Sequence, residues 1–294
     1  LKDDRRALGL GLLAVVLWST VATAFKLALA ELTVLQLVAV AVNTSALALL
    51  GVLVWQRKLG DLLALLRRSP GELLTLGTVN PLIYYCVLLA AYDQLPAQQA
   101  QTINYTWAIM LALLSVPVLG QRLAARDWIA VVLGYLGVVI IATEGRFLAL
   151  EFTSPLGVGL ALASTLIWAG FWLASARSKH DPALALAGSF LFAAPLSVVL
   201  CLFFGNGLPS PGAGLASAIY VGFFEMGFTW LLWSTALRTA SNVSRVGNLI
   251  FLAPLLSLVF IATILGEPIQ PATLLGLALI VPGILLQQRG GGTA

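Results

Sequence analysis

The chain has 294 residues, 60% of them hydrophobic and only 10% charged, with a mean hydropathy of +0.99. Soluble domains carry about 25% charged residues, so this balance excludes an ordinary water-soluble domain and points to a membrane protein. The formal charge of +4 would suggest a nucleic-acid partner for a soluble chain; here it is read through topology, because basic loops face the cytoplasm, and no nucleic acid is expected.

A membrane helix needs about 20 mostly apolar residues. In chain order ten runs qualify: about 8–30, 33–55, 71–91, 96–119, 128–147, 155–176, 182–204, 213–237, 243–265 and 271–288. The expected fold class is therefore an all-α integral membrane protein of ten transmembrane helices. The charged start runs straight into the first apolar stretch, which reads as a span and not as a signal peptide. Pro81, Pro117, Pro195, Pro254 and Pro282 interrupt some runs. Membrane helices tolerate proline because neighbouring groups satisfy the freed backbone.

With the N-terminus inside, the inner side receives Lys2, Arg5, Arg6, Arg57, Lys58, Arg67, Arg68, Arg122, Arg126, Arg177, Lys179, Arg238, Arg245 and Arg289, which is 14 of the 16 basic residues. Arg146 falls outside, and Lys26 sits in the first run near its outer end. This bias places both termini in the cytoplasm. In the longest inner loop, "RKLGDLLALLRRSP", leucines between basic pairs predict a short helix on the anionic inner leaflet.

Cys86 and Cys201 lie in apolar runs and read as buried free thiols. His180 is the single histidine. No metal-ligand spacing exists, so no metal and no cofactor are expected. A G-x-x-x-x-G-K-[ST] loop is absent, so the chain itself does not use ATP. Intramembrane hydrolysis would need a Ser–His pair, paired Asp or a metal, and none of Asp3, Asp4, Asp61, Asp93, Asp127 and Asp181 is mid-run. An enzyme is not expected.

Two stretches repeat. "LGLGLLAVVLWSTVA" aligns with "LGVGLALASTLIWAG", matching Gly9 to Gly159, Leu12 to Leu162 and Trp18 to Trp168 at an offset of 150. "VLGQRLAARDWIAVVLGYLGVVI" aligns with "ILGEPIQPATLLGLALIVPGILL", matching Gly120 to Gly266 and Gly137 to Gly283 at an offset of 146. The halves are 1–147 and 148–294, with five runs each. Five is odd, so the second half enters the membrane inverted, and in such folds a central cavity near the midplane holds the ligand.

These features resemble the drug/metabolite transporter superfamily, in its EamA-type branch. The matching residues are the Trp-containing first run of each half and the fourth-run endings "SVPVLGQRL" and "IATILGEPI", each followed by a Gly-containing fifth run. The stretch "NPLIYYCVLLAAYDQLPAQQAQTINYTW" is most similar to members that export aromatic and other amino acids. The resemblance implies a bacterial inner-membrane secondary transporter that exports neutral or small amino acids, aromatic ones among them, by alternating access. Its substrate and the bilayer are the expected partners; the sequence is silent on oligomeric state, and a monomer is the working expectation. Another metabolite or a drug is the alternative cargo, and a passive channel a further one. Pro254 has Ala108 at its first-half counterpart, a departure that puts a proline kink there in doubt.

The polar residues inside apolar runs are the site candidates. Helical neighbours lie three and four apart, so Gln98, Gln101, Asn104 and Tyr105 form one stripe beside Trp107. Asn80 and Tyr84 share a face, as do Trp168 and Trp172; Trp18 matches Trp168; and Asn248 sits on a smaller stripe with Ser241, Ser244 and Gly247. Such faces avoid lipid. Asn and Gln could instead bind helices together. Interfacial anchoring suits Trp55, Trp128 and Tyr135 but not Tyr105, Trp107 or Trp168. Aromatic faces attract an ammonium and stack on apolar side chains, and amides both donate and accept. That set suits a zwitterion. Glu225, in "GFFEMGFTW", is a proton site or ammonium partner, or else a structural, hydrogen-bonded Glu. Lys26 reads as snorkelling to the interface, and His180 as solvated.

Overall fold

The computed structural model describes residues 3–120, 123, 125–146, 152–175, 178, 180–241 and 246–288. Among the described residues every regular element is helical. In chain order the helices are α1 (Asp4–Ser19), α2 (Val21–Leu29), α3 (Val34–Trp55), α4 (Leu59–Arg68), α5 (Pro70–Gly77), α6 (Tyr84–Gln94), α7 (Ala97–Asn104), α8 (Trp107–Leu119), α9 (Ala125–Ala142), α10 (Pro155–Ser175), α11 (Pro182–Phe204), α12 (Ala213–Phe224), α13 (Phe228–Thr239), α14 (Leu252–Phe260) and α15 (Pro271–Gln288).

Among the described residues six helical stretches are long and apolar enough to cross a membrane: Asp4–Leu29, Val34–Trp55, Pro70–Gln94, Pro155–Ser175, Pro182–Phe204 and Ala213–Thr239. Three shorter apolar helices are Asp127–Ala142, Leu252–Leu265 and Pro271–Leu286. The chain is thus a multi-pass helical membrane protein. The fourth expected run is not one helix, because it divides at Tyr105–Thr106 into α7 and α8. Part of the ninth run, residues 243–245, lies outside the described residues.

Local chemistry sets the ends. Thr33 opens α3 with a reciprocal cap: its hydroxyl accepts from the Gln36 amide at 3.3 Å, and the Gln36 side chain accepts from the Thr33 amide at 3.0 Å. The 22 residues that follow extend about 33 Å at 1.5 Å each, which matches the hydrocarbon thickness. Between α1 and α2, the Ser19 and Thr20 hydroxyls donate back to the carbonyls of Val15 (2.6 Å) and Leu17 (2.7 Å). Such back-bonding bends helices.

The helices group into two compact units. One comprises Leu1–Cys86 and Lys179–Leu265, the other Val87–Ser178 and Gly266–Ala294. Each unit takes chain from both sequence halves. In the first, α3 packs along α11 and α12, and α1 lies against α13. The expected inner-loop helix exists as α4. It buries Leu62 and Leu65, packs on α11, and leaves Leu63 exposed. Lys58 pairs with Asp181 at 3.3 Å, and His180 meets Glu72 at 3.2 Å, so His180 is engaged and not merely solvated. Burial pushes the Asp181 carboxyl up, but the Leu184 and Ala183 amides and Lys58 outweigh it and hold it below its usual value.

In the second unit α9 and α15 run together along glycines. A Cβ on Gly137 would sit 2.8 Å from the Gly276 carbonyl oxygen, and one on Gly276 would strike the Ile141 side chain. Gly283, the repeat partner of Gly137, lies against the Ala130 carbonyl of α9. Small residues let membrane helices approach closely. Gly276→Val should therefore destabilise the detergent-solubilised protein by about 1–3 kcal/mol, read as a lower Tm. Gly159→Ala, which meets nothing within 4 Å, should be neutral. Equal Tm values for the two variants would contradict this packing.

Candidate substrate-binding residues at helix breaks

Besides the bend between α1 and α2, four of the apolar runs break internally among the described residues, and each of these breaks carries a candidate residue. In the third run the backbone turns extended at Asn80 (φ −140°, ψ 115°), just before Pro81. In the eighth, α12 ends at Phe224 and α13 begins at Phe228, leaving Glu225, Met226 and Gly227 between them. In the fourth run the break is at Tyr105–Thr106; in the ninth, a 3-10 turn at Asn248–Phe251 precedes α14. Residues 80 and 226, like 105 and 251, differ by the repeat offset of 146. The third and fourth apolar runs therefore break at places that correspond, by this offset, to the breaks in the eighth and ninth.

The fourth-span break needs no proline. Thr106 donates its amide (3.0 Å) and its hydroxyl (2.8 Å) to the Ile103 carbonyl, in place of the regular bond one residue further back. The second-half counterpart has Pro254 three residues beyond Phe251. Ala108 itself lies inside regular α8, so the first-half break falls ahead of it, at this threonine.

In the second unit the break carries a set of aromatic rings. Trp107 at the start of α8 stacks on Trp172 of α10, with centroids 6.5 Å apart and planes at 16°. Trp172 meets Trp168 edge-on at 6.1 Å and 87°, and Trp168 stacks on Phe171 at 5.7 Å. Asn104 Nδ2 donates to Ser164 Oγ at 2.9 Å, tying α7 to α10. Asn104, Tyr105, Trp107, Trp168 and Trp172 are all half-buried, whereas Gln101 is only 6% exposed. The expected stripe is thus divided by depth. Its first member, Gln98, is a binder of helices: it donates to the Pro268 carbonyl (2.9 Å) and accepts from the Gln270 amide (3.0 Å) and Thr273 hydroxyl (2.9 Å). Three bonds leave Gln98 little capacity for a ligand.

In the first unit Trp18 faces two indoles that the sequence reading missed. Trp230 meets it edge-on at 6.3 Å, and Trp233 lies tilted at 5.5 Å. Their spacing of three on one helix was the available signal. Asn80 is 5% exposed, and its side-chain oxygen has no hydrogen-bond partner among the described residues. Tyr84 packs edge-on against Tyr85 at 4.8 Å. Tyr85, also missed, donates its hydroxyl to Glu225 at 3.1 Å. Asn248 sits in the 3-10 turn, but its side chain lies outside the described residues, as does Ser244. Among the described residues no group of three metal-ligating side chains occurs.

Broken spans with polar and aromatic groups at the breaks define a membrane transporter fold. The chain belongs to the EamA-like transporter family, which matches residues 5–143 and 155–287, one copy per repeat. Among curated relatives, a protein of Pseudomonas aeruginosa described as uncharacterized is 29% identical over 70% of this chain and 72% of its own. The uncharacterized transporter YvbV of Bacillus subtilis is 27% identical over 71% and 68%. The aromatic amino acid exporter YddG of Ancylobacter novellus is 26% identical over 68% and 70%. A solved crystal structure covering 98% of both chains shares the fold at a TM-score of 0.69 and 23% identity.

Trp107→Ala and Trp168→Ala should each weaken transport, by about two-fold to about thirty-fold in half-saturating concentration if each ring contributes about 0.5–2 kcal/mol. Membrane insertion and gel-filtration behaviour should stay normal. Near-wild-type transport in both variants would remove these rings from the site.

Proposed function

We propose that this chain exports neutral amino acids, aromatic ones among them, from the cytoplasm across the bacterial inner membrane. It works by alternating access of two inverted five-span halves around a central cavity, as a monomer with both termini in the cytoplasm. The observation that carries the reading is the Trp107–Trp172–Trp168 set beside Asn104 and Tyr105 at a helix break. Indole faces suit both an ammonium and an aromatic side chain. Asn104 and Tyr105 supply amide and hydroxyl groups for a carboxylate. A zwitterion has no net charge to balance, which fits spans nearly free of Lys, Arg, Asp and Glu. The one named function among the relatives above, aromatic amino acid export in YddG, points the same way.

A second reading has its own observation. The three indoles of Trp18, Trp230 and Trp233 resemble the aromatic cages that hold organic cations, which suits a drug-like cargo.

Liposomes containing the purified protein should release preloaded threonine, methionine or phenylalanine faster than protein-free liposomes, with saturation and counterflow. Equal leakage across the panel defeats the amino-acid reading. Competition by organic cations, without competition by amino acids, would favour the second.

A further inference from the structure

Glu225 is a carboxylate near the middle of Ala213–Thr239, twelve residues from the nearer end. At 1.5 Å each, about 18 Å of helix separates it from that interface. It stands in the gap between α12 and α13, where the helix offers it little. The Glu225 amide (2.8 Å) and the Met226 amide (3.3 Å) both donate to the Val221 carbonyl, so neither points at the carboxylate. Its one side-chain partner among the described residues is the Tyr85 hydroxyl at 3.1 Å. Tyr85 is only 2% exposed and is held between Tyr84 and Phe25, at ring distances of 4.8 and 6.5 Å. It is a fixed donor and not a wandering one.

The ionisable groups on the neighbouring elements do not compensate the charge. Lys26 lies on α2, and α3 carries none. Tyr220, one turn earlier on α12, is hydrogen-bonded to Thr20 at 2.6 Å. Arg238 is in the last turn of α13, Tyr84 and Tyr85 open α6, and Cys86 is a free thiol. Among these only Tyr85 bonds to Glu225. An ionised carboxylate offers about four acceptor sites, and a single donor meets one. Beside the same gap, the hydroxyls of Ser45 and Thr229 are fully buried with no hydrogen-bond partner among the described residues. Ser45 Oγ would lie 3.3 Å from a Cβ placed on Gly227. Unmet hydroxyls of this kind are where a water would bind.

We propose that Glu225, held by Tyr85 in the broken eighth span, is the proton-binding site that couples substrate movement to the proton gradient. The step is an acid–base exchange. A hydronium ion gives its proton to a Glu225 carboxylate oxygen and leaves as water; after the conformational change the carboxyl O–H bond breaks and the proton passes to water on the other side. No redox partner is involved. The sense of the coupling, one proton in as substrate goes out, rests on the export reading above; proton binding at Glu225 does not.

Two measurements on the full chain in liposomes separate the two claims. Infrared difference spectra between acidic and alkaline buffer, without substrate, should show a protonated-carboxyl carbonyl band that Glu225→Gln abolishes and Tyr85→Phe shifts. A spectrum unchanged by Glu225→Gln overturns proton binding here, whatever the cargo. With an entrapped pH dye, amino-acid export should be accompanied by proton entry and speed up several-fold under an inward proton gradient. Glu225→Gln should lose both effects. Proton movement that persists in Glu225→Gln, with only a raised half-saturating substrate concentration, would instead make Glu225 an ammonium partner and overturn the coupling. Amino-acid counterflow without any proton entry overturns the coupling alone; absence of counterflow defeats the export reading while the infrared result stands.

Discussion

The structure depends on one constraint: inside a bilayer each backbone N–H and C=O must find a partner within the protein. Continuous helices meet it automatically, and α3 and α10 do so over 22 and 21 residues. Each break therefore carries a cost that something must offset. Thr106 offsets it with its own hydroxyl at the fourth-span break. At the eighth-span break two amides share the Val221 carbonyl. Breaks at matching positions of two repeats are hard to reconcile with accident. They place Asn80, Tyr105, Glu225 and Asn248, or their immediate neighbours, where a regular helix would have buried only apolar side chains.

The rest of the fold makes such breaks tolerable by holding their surroundings firmly. In the second unit the close α9–α15 crossing at Gly137 and Gly276 gives a rigid pair of helices, to which Gln98 is tied by three hydrogen bonds. Gln99 adds bonds to Glu144 and Thr153, both at 3.2 Å. In the first unit Glu31 accepts from the Gly214 amide at 2.6 Å, fixing the start of α12, and Asn43 reaches Ser197 of α11 at 3.2 Å. Polar residues thus do two kinds of work. Some join helices to one another; those at the breaks, where described, stay half-buried or, like Asn80, under-satisfied.

Much of this was legible in the sequence, and the exceptions have physical causes. Hydropathy located the long spans, and the weak repeat at offsets of 150 and 146 corresponds to the two family matches. Hydropathy could not see the fourth-run break, because a window average does not register one threonine's bond to a carbonyl three residues back, and no proline marks the place. The polar stripe from Gln98 to Tyr105 was visible, but its division was not. Gln98 finds its partners some 170 residues away in sequence, and a helical wheel says nothing about them. Tyr85 escaped for the same reason, since Glu225 is 140 residues distant. Trp230 and Trp233 could have been found, because their spacing alone puts them on one face.

The central claim is that the groups at the breaks meet water, whereas the apolar faces of the same spans meet lipid. Cysteine accessibility in intact membranes tests it directly, in a background with Cys86 and Cys201 replaced by serine. A charged, water-borne thiol reagent should modify Tyr105→Cys and Trp168→Cys, and excess substrate should slow the reaction. Leu47→Cys, at an α3 position that is 70% exposed on the bare protein, should stay unmodified because lipid covers it. Silent cysteines at 105 and 168 beside a reactive one at 47 would contradict the account.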